Sequence, residues 1–301
     1  LVVSEMCIRD SSKILMPILL VLMFVVIVRG MTLPGASAGL EFYLKPDFSK
    51  VTGGTVLAAL GQAFFSLSLG MGAMITYGSY LPKTANIRNA GASVAVFDTG
   101  IALLAGLMIF PAVCATGKDP GEGPPLVFET LPAVFDAMPM GGLIAVVFFI
   151  LISIAALTST VSLLEVVTSY VVDEHRWSRR KSVFTVAGIT FVVGVPSALS
   201  QGAVPALGGD GFSILGQSDF LSLMDFIWGN ISLALGALLL SVFVGWIWGR
   251  RGPEKELKTG GEETPDAHIN MWWFFLKYVC PVVIFVVLLN VFGVFGEFAG
   301  G

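Results

Sequence analysis

The chain has 301 residues, of which 55% are hydrophobic and 13% charged, and its formal net charge is −4. Its mean hydropathy of +0.86 excludes an ordinary soluble domain. The alternating ten-residue segments of a transmembrane β-barrel are absent from the sequence, so the composition indicates an all-α integral membrane protein. Nothing in the charge pattern suggests a nucleic-acid partner.

Seven apolar runs are each long enough to cross a hydrocarbon core of ~30 Å as a helix that rises ~1.5 Å per residue. They predict transmembrane helices at residues 13–33, 54–81, 90–116, 140–172, 182–200, 220–249 and 271–296. The opening "LVVSEMCIRDSS" differs in character from everything that follows, and we interpret residues 1–12 as a non-native leader. The transmembrane domain then covers 13–296, and 297–301 form a tail.

Basic residues cluster in alternate loops, which by the positive-inside rule face the cytoplasm. They are Lys83, Arg88, Arg176, Arg179, Arg180, Lys181, Arg250, Arg251, Lys255 and Lys258. The other loops are rich in Asp and Glu and are predicted to be external. This alternation predicts a multi-pass protein of the inner (plasma) membrane.

Two of the loops differ in character. The external segment 117–139 is Pro-rich but carries apolar residues at helical spacing in "LVFETLPAVF", which predicts a helical hairpin that caps an outer vestibule. The segment 251–270 is charged, contains Gly and Pro, and has no apolar face, so it is predicted to be an irregular cytoplasmic linker.

The second apolar run contains a weak point for a helix. The segment "SLSLGMG" at residues 66–72 combines two hydroxyl residues with two glycines near the middle of the span. Irregular backbone survives at membrane depth only where it lines a cavity or is buried in protein, so an unwound segment here would offer carbonyls and a half-helix N-terminus to a ligand. The alternative is that these small residues serve close helix packing.

Two polar features accompany this segment. Asp98 lies about ten residues, or ~15 Å, into its helix, where an acid is expensive and expected to have a cationic partner. No Lys or Arg lies mid-span in the predicted helices, which favours a bound cation over a structural ion pair. In "ALTST", Thr158 and Ser159 can offer hydroxyls to a hard cation, whereas Thr160 and Ser162 are expected to bond to the carbonyl four residues earlier in their own helix.

Cysteine and histidine carry little functional signal. Cys114 and Cys280 lie in apolar helices, where a buried small hydrophobe is the expected role. His175 and His268 both fall in cytoplasmic loops, so no intramembrane Ser/His pair is available for hydrolysis. The sequence predicts neither a disulfide nor a metal framework.

Three segments resemble the neurotransmitter:sodium symporter family. "GQAFFSLSLGMGAMITYGSYL" resembles its transmembrane helix 6, "FETLPAVF" its fourth external loop and "ALTST" its helix 8. The resemblance runs from residue 13 to 296 and implies helices 5 to 11 of a five-plus-five inverted-repeat fold. It thus implies an N-terminally truncated, bacterial-type sodium-dependent amino-acid transporter that lacks helices 1 to 4.

The resemblance implies two Na⁺ sites, both completed by the missing helix 1, beside a site for an amino-acid substrate. It places Ser66 and Asp98 in the first Na⁺ site. In the second it places the Ala155 carbonyl and the hydroxyls of Thr158 and Ser159. The substrate-binding residues that it implies are Phe65, Ser66, Ser68, Met71, Ser159 and Leu163.

Within that pocket, Phe65 is implied as an aromatic lid and Met71 as a side chain that faces Leu163; ordinary core packing is the alternative for Met71. The resemblance also implies gate residues, and the lid Phe65 is one of them. Asp225 aligns with an external-gate acid, and the residues at the cytoplasmic gate are Tyr80, Glu165 and Asp173. A solvated helix end is the alternative for Asp173.

These observations predict Na⁺-coupled symport of a neutral, hydrophobic L-amino acid by alternating access, with no enzymatic step. Asp98 stands where some relatives have a neutral Asn, so its carboxylate can supply the negative charge that a bound chloride supplies in chloride-dependent relatives. The first alternative is a non-transporting amino-acid sensor on the same scaffold. The second is a membrane-embedded hydrolase that uses Ser66 or Ser159 and has no intramembrane base except Asp98. The oligomeric state is not predicted.

Overall fold

A computed structural model describes residues 2–115, 117, 127–128, 131–136, 139–209, 212–259 and 265–294. Most of the predicted external hairpin at 117–139, the middle of the linker at 251–270 and the tail at 297–301 lie outside these residues. Within the described ranges the chain is helical, and strand-like pairing is limited to two isolated antiparallel bridges, Gly208–Asp219 and Ile214–Gln217. The predicted all-α class is confirmed.

The first half of the chain contains α1 (Val2–Met31), α2 (Ala36–Leu44), α3 (Gly53–Ser66), α4 (Ala73–Ser79), α5 (Ile87–Ala115) and α6 (Leu131–Asp136). The second half contains α7 (Gly141–His175), α8 (Arg179–Leu199), α9 (Phe220–Met224), α10 (Leu233–Val242), α11 (Arg251–Lys258), α12 (Asp266–Phe274) and α13 (Cys280–Val291). Three π-helical segments extend these helices, at Asp225–Ser232, Phe243–Trp248 and Phe275–Val279. Short 3₁₀ turns occur at Phe48–Lys50 and Pro205–Leu207.

Six helical stretches of the described residues are long and apolar enough to cross a membrane. They are Lys13–Met31, Ile87–Ala115, Gly141–His175, Arg179–Leu199, Phe220–Trp248 and Asp266–Val291. The remaining predicted span, 54–81, is divided into α3 and α4, and neither part is long enough to cross alone. The predicted seven spans therefore correspond to six continuous helices and one interrupted helix.

The chain divides into two compact units, of which the first comprises Leu1–Lys50 and Ala95–Val161. Its core joins apolar side chains of α1, α5, α6 and the first half of α7. The short helix α6 buries Leu131, Val134 and Phe135 almost completely, and the Phe135 ring packs edge-on against Phe148 at 5.1 Å between centroids. The apolar residues that predicted a helix in "LPAVF" are thus the ones that anchor it.

Helix α2 was not predicted from the sequence. It packs on the second half of α5, where a Cβ at Gly39 would lie only 2.3 Å from the Phe110 carbonyl oxygen. The Tyr43 ring stacks on Phe110 at 4.9 Å, and the Tyr43 hydroxyl donates to the Leu103 carbonyl at 3.2 Å. Because α2 has only nine residues, it is too short to be predicted as a membrane span from its apolar residues.

The second unit comprises Val51–Val94 and Ser162–Gly301, and α3 packs there against α10 and α13. Helix α3 begins with a capping box in which the Thr52 hydroxyl accepts from the Thr55 N–H and the Thr52 N–H donates to the Thr55 hydroxyl. Buried alanines at 234 and 237 let α10 approach its neighbours closely. The Ser241 hydroxyl donates to the Leu276 carbonyl at 2.8 Å, which pairs a backbone group of the third π segment.

The linker at 251–270 is more regular than the sequence suggested, since its first part forms α11. Ion pairs four residues apart stabilise this helix: Glu254 accepts from Arg250 at 2.9 Å and from Lys258 at 2.9 Å. Hydrogen bonds from Lys258 and Arg250 hold the pKa of Glu254 below its ordinary value. Local charge pairing thus forms a helix that an apolar pattern could not predict.

Candidate functional site

The interruption between α3 and α4 has a defined backbone geometry. Beyond the end of α3 the N–H of Leu69 donates to the Phe64 carbonyl and the N–H of Ser68 to the Phe65 carbonyl, both at 3.0 Å. This is a Schellman motif, which ends a helix with a residue in the left-handed region. Here that residue is Ser68, at φ 54°, where glycine is usual.

Glycines hold the interrupted segment against the helices beside it. A Cβ at Gly70 would lie 2.3 Å from the Leu233 carbonyl oxygen of α10, and one at Gly236 would lie 2.6 Å from the Gly70 carbonyl oxygen. At Gly72, which caps α4 at φ 83°, a Cβ would lie 2.9 Å from a methyl group of Val166 on α7. The irregular backbone is therefore half-buried against α7 and α10. At membrane depth such backbone is tolerated where it is buried in protein or lines a cavity.

A cavity of about 260 Å³ lies along this segment. Ser68 and Met71 line it together with Gly236 and Leu240 of α10. Two of the predicted substrate residues therefore face one space. Leu163, which the resemblance places opposite Met71, lies half exposed on α7, and its pairing with Met71 stays a prediction.

A second cavity, of about 350 Å³, is lined by Phe65, the predicted lid, and by Asp225, the predicted external-gate acid. Asp225 begins the first π segment, a type of helical distortion often found at functional sites. Its carboxylate points along that segment towards the C-terminal end and accepts a hydrogen bond from the Asn230 side-chain amide at 3.3 Å. The cavity is also lined by Gln62 and Asn290, so it has a polar wall.

The predicted residues of the second Na⁺ site are neighbours on α7. The Thr158 hydroxyl donates to the Ala155 carbonyl at 2.8 Å, and Ser159 follows with an exposed side chain. Thr160 bonds to the Ala156 carbonyl at 2.7 Å, which confirms its predicted bond within the helix. In the second unit, the Ser162 hydroxyl accepts a hydrogen bond from Tyr77 of α4.

The predicted first Na⁺ site draws on both units. Asp98 lies in the first unit, half-buried and eleven residues after the start of α5, and Ser66 lies in the second. Their pairing stays a prediction. In the described residues no three His, Cys, Asp or Glu side chains are grouped to hold a metal ion. Candidate ligands are therefore hydroxyl and carbonyl oxygens with the Asp98 carboxylate, a set that suits a hard cation.

A cluster of polar and charged side chains around the buried Glu165 joins α4, α7 and α8. Glu165 is 4% exposed; it accepts from the Tyr80 hydroxyl at 2.5 Å and forms an ion pair with Arg179. The structure thus brings two of the predicted cytoplasmic-gate residues into direct contact. Asp173 is exposed and lines a cavity of about 340 Å³ together with Tyr80.

Arg179 is the member of this cluster that sequence reasoning missed. In the sequence it stands only as one of four basic residues in a predicted cytoplasmic loop. The acid in the last third of the α7 span was a signal that could have found it, because a buried carboxylate requires a partner.

The chain is similar in sequence to known membrane transporters. The sequence model of the sodium:neurotransmitter symporter family matches residues 2–297. The chain is 38% identical over 287 residues to the uncharacterized sodium-dependent transporter YhdH of Bacillus subtilis, a match that covers 95% of this chain and 62% of that protein. An uncharacterized sodium-dependent transporter of Haemophilus influenzae is 38% identical over 288 residues, with 94% of this chain and 60% of that protein covered.

The same fold occurs in a solved structure. The crystal structure of MhsT in complex with L-phenylalanine superimposes with a TM-score of 0.83 at 40% identity, over 94% of this chain and 63% of that one. The chain thus spans about 60% of the length of the relatives that it matches. The interrupted helix is the feature that the glycines and serines of residues 66–72 predicted. The family match over nearly all residues shows that this chain belongs to the sodium:neurotransmitter symporter family.

Proposed function

We propose that the chain is the C-terminal portion, helices 5 to 11, of a Na⁺-coupled symporter for a neutral, hydrophobic L-amino acid. The protein would lie in the inner (plasma) membrane and work by alternating access, without covalent chemistry. The observation that carries the proposal is the break at residues 67–72, packed between α7 and α10. The partial charges of the helix dipole at the two half-helix ends are suited to bind the charged ends of a zwitterion.

Na⁺ is the proposed co-substrate. Two Na⁺ ions that move down a membrane potential gain roughly 2.3 kcal/mol each per 100 mV, which is enough to accumulate a neutral substrate. We propose Ser66 and Asp98 for the first ion and Ala155, Thr158 and Ser159 for the second, with the remaining ligands supplied by a helix 1. The relatives named above are sodium-dependent transporters, which favours transport over a sensor.

A neutral substrate follows from the proposed pocket wall. Phe65, Met71 and Leu163 carry no charge, so a charged substrate side chain would lose its hydration without compensation. Met71 is unbranched and can adjust to bulky aliphatic or aromatic groups. The ligand in the MhsT structure is L-phenylalanine, a neutral aromatic amino acid.

We propose one gate at the cavity lined by Phe65 and Asp225 and the other at the cluster around Glu165, both in the second unit. Phe65 and Asp225 line one cavity and would close the external side. Tyr80 and Glu165, held by Arg179, would close the cytoplasmic side, with Asp173 beside them. Both proposals require that these contacts break and re-form during transport.

Uptake by the full-length protein in proteoliposomes tests the function. We expect an inward Na⁺ gradient to drive accumulation of radiolabelled L-leucine or L-phenylalanine above the external concentration, while an equal K⁺ gradient gives none. Glu and Lys should not compete. Saturable Na⁺-dependent binding without accumulation or counterflow would instead identify the sensor.

A further inference from the structure

One basic side chain lies inside a span and has no role in the proposed transport site. Lys277 belongs to the stretch Asp266–Val291, eleven residues after its start, and lies in the third π segment. It packs beside Gly245 of the neighbouring span, where a Cβ would lie 3.4 Å from the Lys277 Cα. Gly245 is three residues from the end of that span at Trp248, so Lys277 lies about one helical turn from the predicted cytoplasmic surface.

Aromatic rings surround the Lys277 ammonium. Its Nζ lies 5.7 Å from the centroid of Trp246, 6.0 Å from that of Trp273 and 5.6 Å from that of Tyr278. These distances are in the range of cation–π contacts. Trp and Tyr concentrate at the level of lipid headgroups, and Trp246 and Tyr278 are half exposed. The cluster thus lies on the surface of the helix pair and at headgroup depth.

Two carboxylates of α11 and α12, Glu254 and Asp266, are already paired with other bases. Glu254 accepts from Arg250 and Lys258, and Asp266 pairs with Lys258 at 2.9 Å. Arg250 also donates to the Asn270 side chain at 2.6 Å. Among the described residues no carboxylate forms an ion pair with Lys277, whose ammonium has three N–H donors.

We propose that Lys277, Trp246, Trp273 and Tyr278 form a binding site for the phosphate of an anionic phospholipid in the cytoplasmic leaflet. The ammonium donates to the phosphate oxygens, and the rings pack against the glycerol region and exclude water from the contact. Each basic side chain near an anionic membrane surface contributes attraction that corresponds to about a fivefold enrichment of the anionic lipid.

Tryptophan fluorescence provides the test, because five of the six tryptophans of this chain, at 177, 246, 248, 272 and 273, lie towards the predicted cytoplasmic side. Four of these five belong to the two spans that meet at Lys277 and Gly245. The full-length protein is reconstituted in phosphatidylcholine vesicles that contain equal small fractions of either brominated phosphatidylglycerol or brominated phosphatidylcholine. We expect the anionic probe to quench at about one-fifth of the concentration that the neutral probe requires. Lys277→Gln should abolish this preference, and Lys277→Arg should keep it because the charge remains.

Lys181→Gln is the matched control, because the Lys181 ammonium lies 4.0 Å from the Trp177 ring centroid and its removal also deletes one cation–π contact and one charge. It should leave the lipid preference intact. Equal quenching of the wild type by the two probes would overturn the proposal, whether or not Lys277→Gln folds. So would an equal loss of preference in Lys181→Gln and Lys277→Gln, which would show a general charge effect.

Discussion

Ser68 and Gly70 have the backbone conformations that interrupt the helix between α3 and α4. Ser68 lies at φ 54°, a strained region for a residue with a Cβ, and its N–H bond to Phe65 offsets part of that strain. Gly70 lies at φ 87° and contacts the backbone of α10 directly. A continuous helix through this segment would remove both conformations and the cavity beside them.

Gly70→Ala should therefore destabilise the protein. The added Cβ meets the Leu233 carbonyl at 2.3 Å, and backbone strain alone costs about 1–3 kcal/mol. Gly78→Ala is the control, because Gly78 lies within α4 and a Cβ there meets nothing within 4 Å; we expect unchanged stability or a gain of about 0.5 kcal/mol. Thermal unfolding of the detergent-purified variants measures both, and equal midpoints would contradict the close packing.

Loss of the Asp98 side chain should weaken the apparent Na⁺ affinity far more than loss of the Thr160 side chain, although both are polar residues of membrane helices. Removing a charged ligand costs more than about 1.5 kcal/mol, so Asp98→Ala should weaken apparent Na⁺ affinity by about tenfold or more. Thr160→Ala only removes a bond within its helix. Na⁺ titration of substrate uptake compares them, and similar effects would count against Asp98 as a ligand.

Asp98→Asn separates charge from size at the same position. If the carboxylate supplies the negative charge beside the first Na⁺, the amide variant should gain a requirement for chloride or lose part of its Na⁺ dependence. Uptake measured with chloride and with gluconate tests this. If uptake by Asp98→Asn neither requires chloride nor shows a changed Na⁺ dependence, the Asp98 carboxylate does not supply the negative charge that replaces chloride.

At the scale of elements, α4 is attached to α7 and α8 by side chains. Tyr77 donates to Ser162, Tyr80 donates to Glu165, and Arg179 of α8 pairs with the same carboxylate. All of these residues belong to the second unit. The half-helix after the break is therefore held by polar contacts, which a conformational change can break and re-form.

Glu165→Ala should destabilise this attachment by about 1–3 kcal/mol, because it leaves the Arg179 guanidinium and the Tyr80 hydroxyl without their buried acceptor. Asp173→Ala, eight residues later on the same helix but exposed, should change stability by less than about 0.5 kcal/mol. Urea or thermal unfolding in detergent gives the comparison. If the Asp173 variant were as unstable as the Glu165 variant, the contacts of Glu165 would not be what attaches α4 to α7 and α8.

Elements with long apolar runs were predictable because membrane thickness fixes their length. The break in the second run was also predictable, since paired glycines and hydroxyls conflict with a continuous span. Helix α2 and helix α11 were not, because α2 depends on tertiary packing through Gly39 and α11 on charge pairs. The setting of Lys277 was not predictable either, because its depth follows from its packing against Gly245 of the neighbouring span.

At the scale of the whole molecule, the candidate site residues are distributed over both units. Asp98, Ala155, Thr158 and Ser159 belong to the first, and the interrupted segment belongs to the second. Periodicity and composition could predict the elements that carry these residues, whereas their roles came from the resemblance to a family. The sequence indicated that the acid at Glu165 needs a partner but could not single out Arg179, which is fourteen residues away and meets Glu165 only after a turn.

The central claim is that the broken helix forms the substrate pocket, and the selectivity of Met71→Phe tests it most directly. Competition for Na⁺-driven uptake is measured for wild type and variant with Ala, Val, Leu, Tyr and Trp. A rigid ring in place of the flexible methionine should narrow the pocket, so Tyr and Trp should lose affinity while Ala and Val change little. An unchanged ranking of these amino acids, in a variant that folds and transports, would contradict the claim.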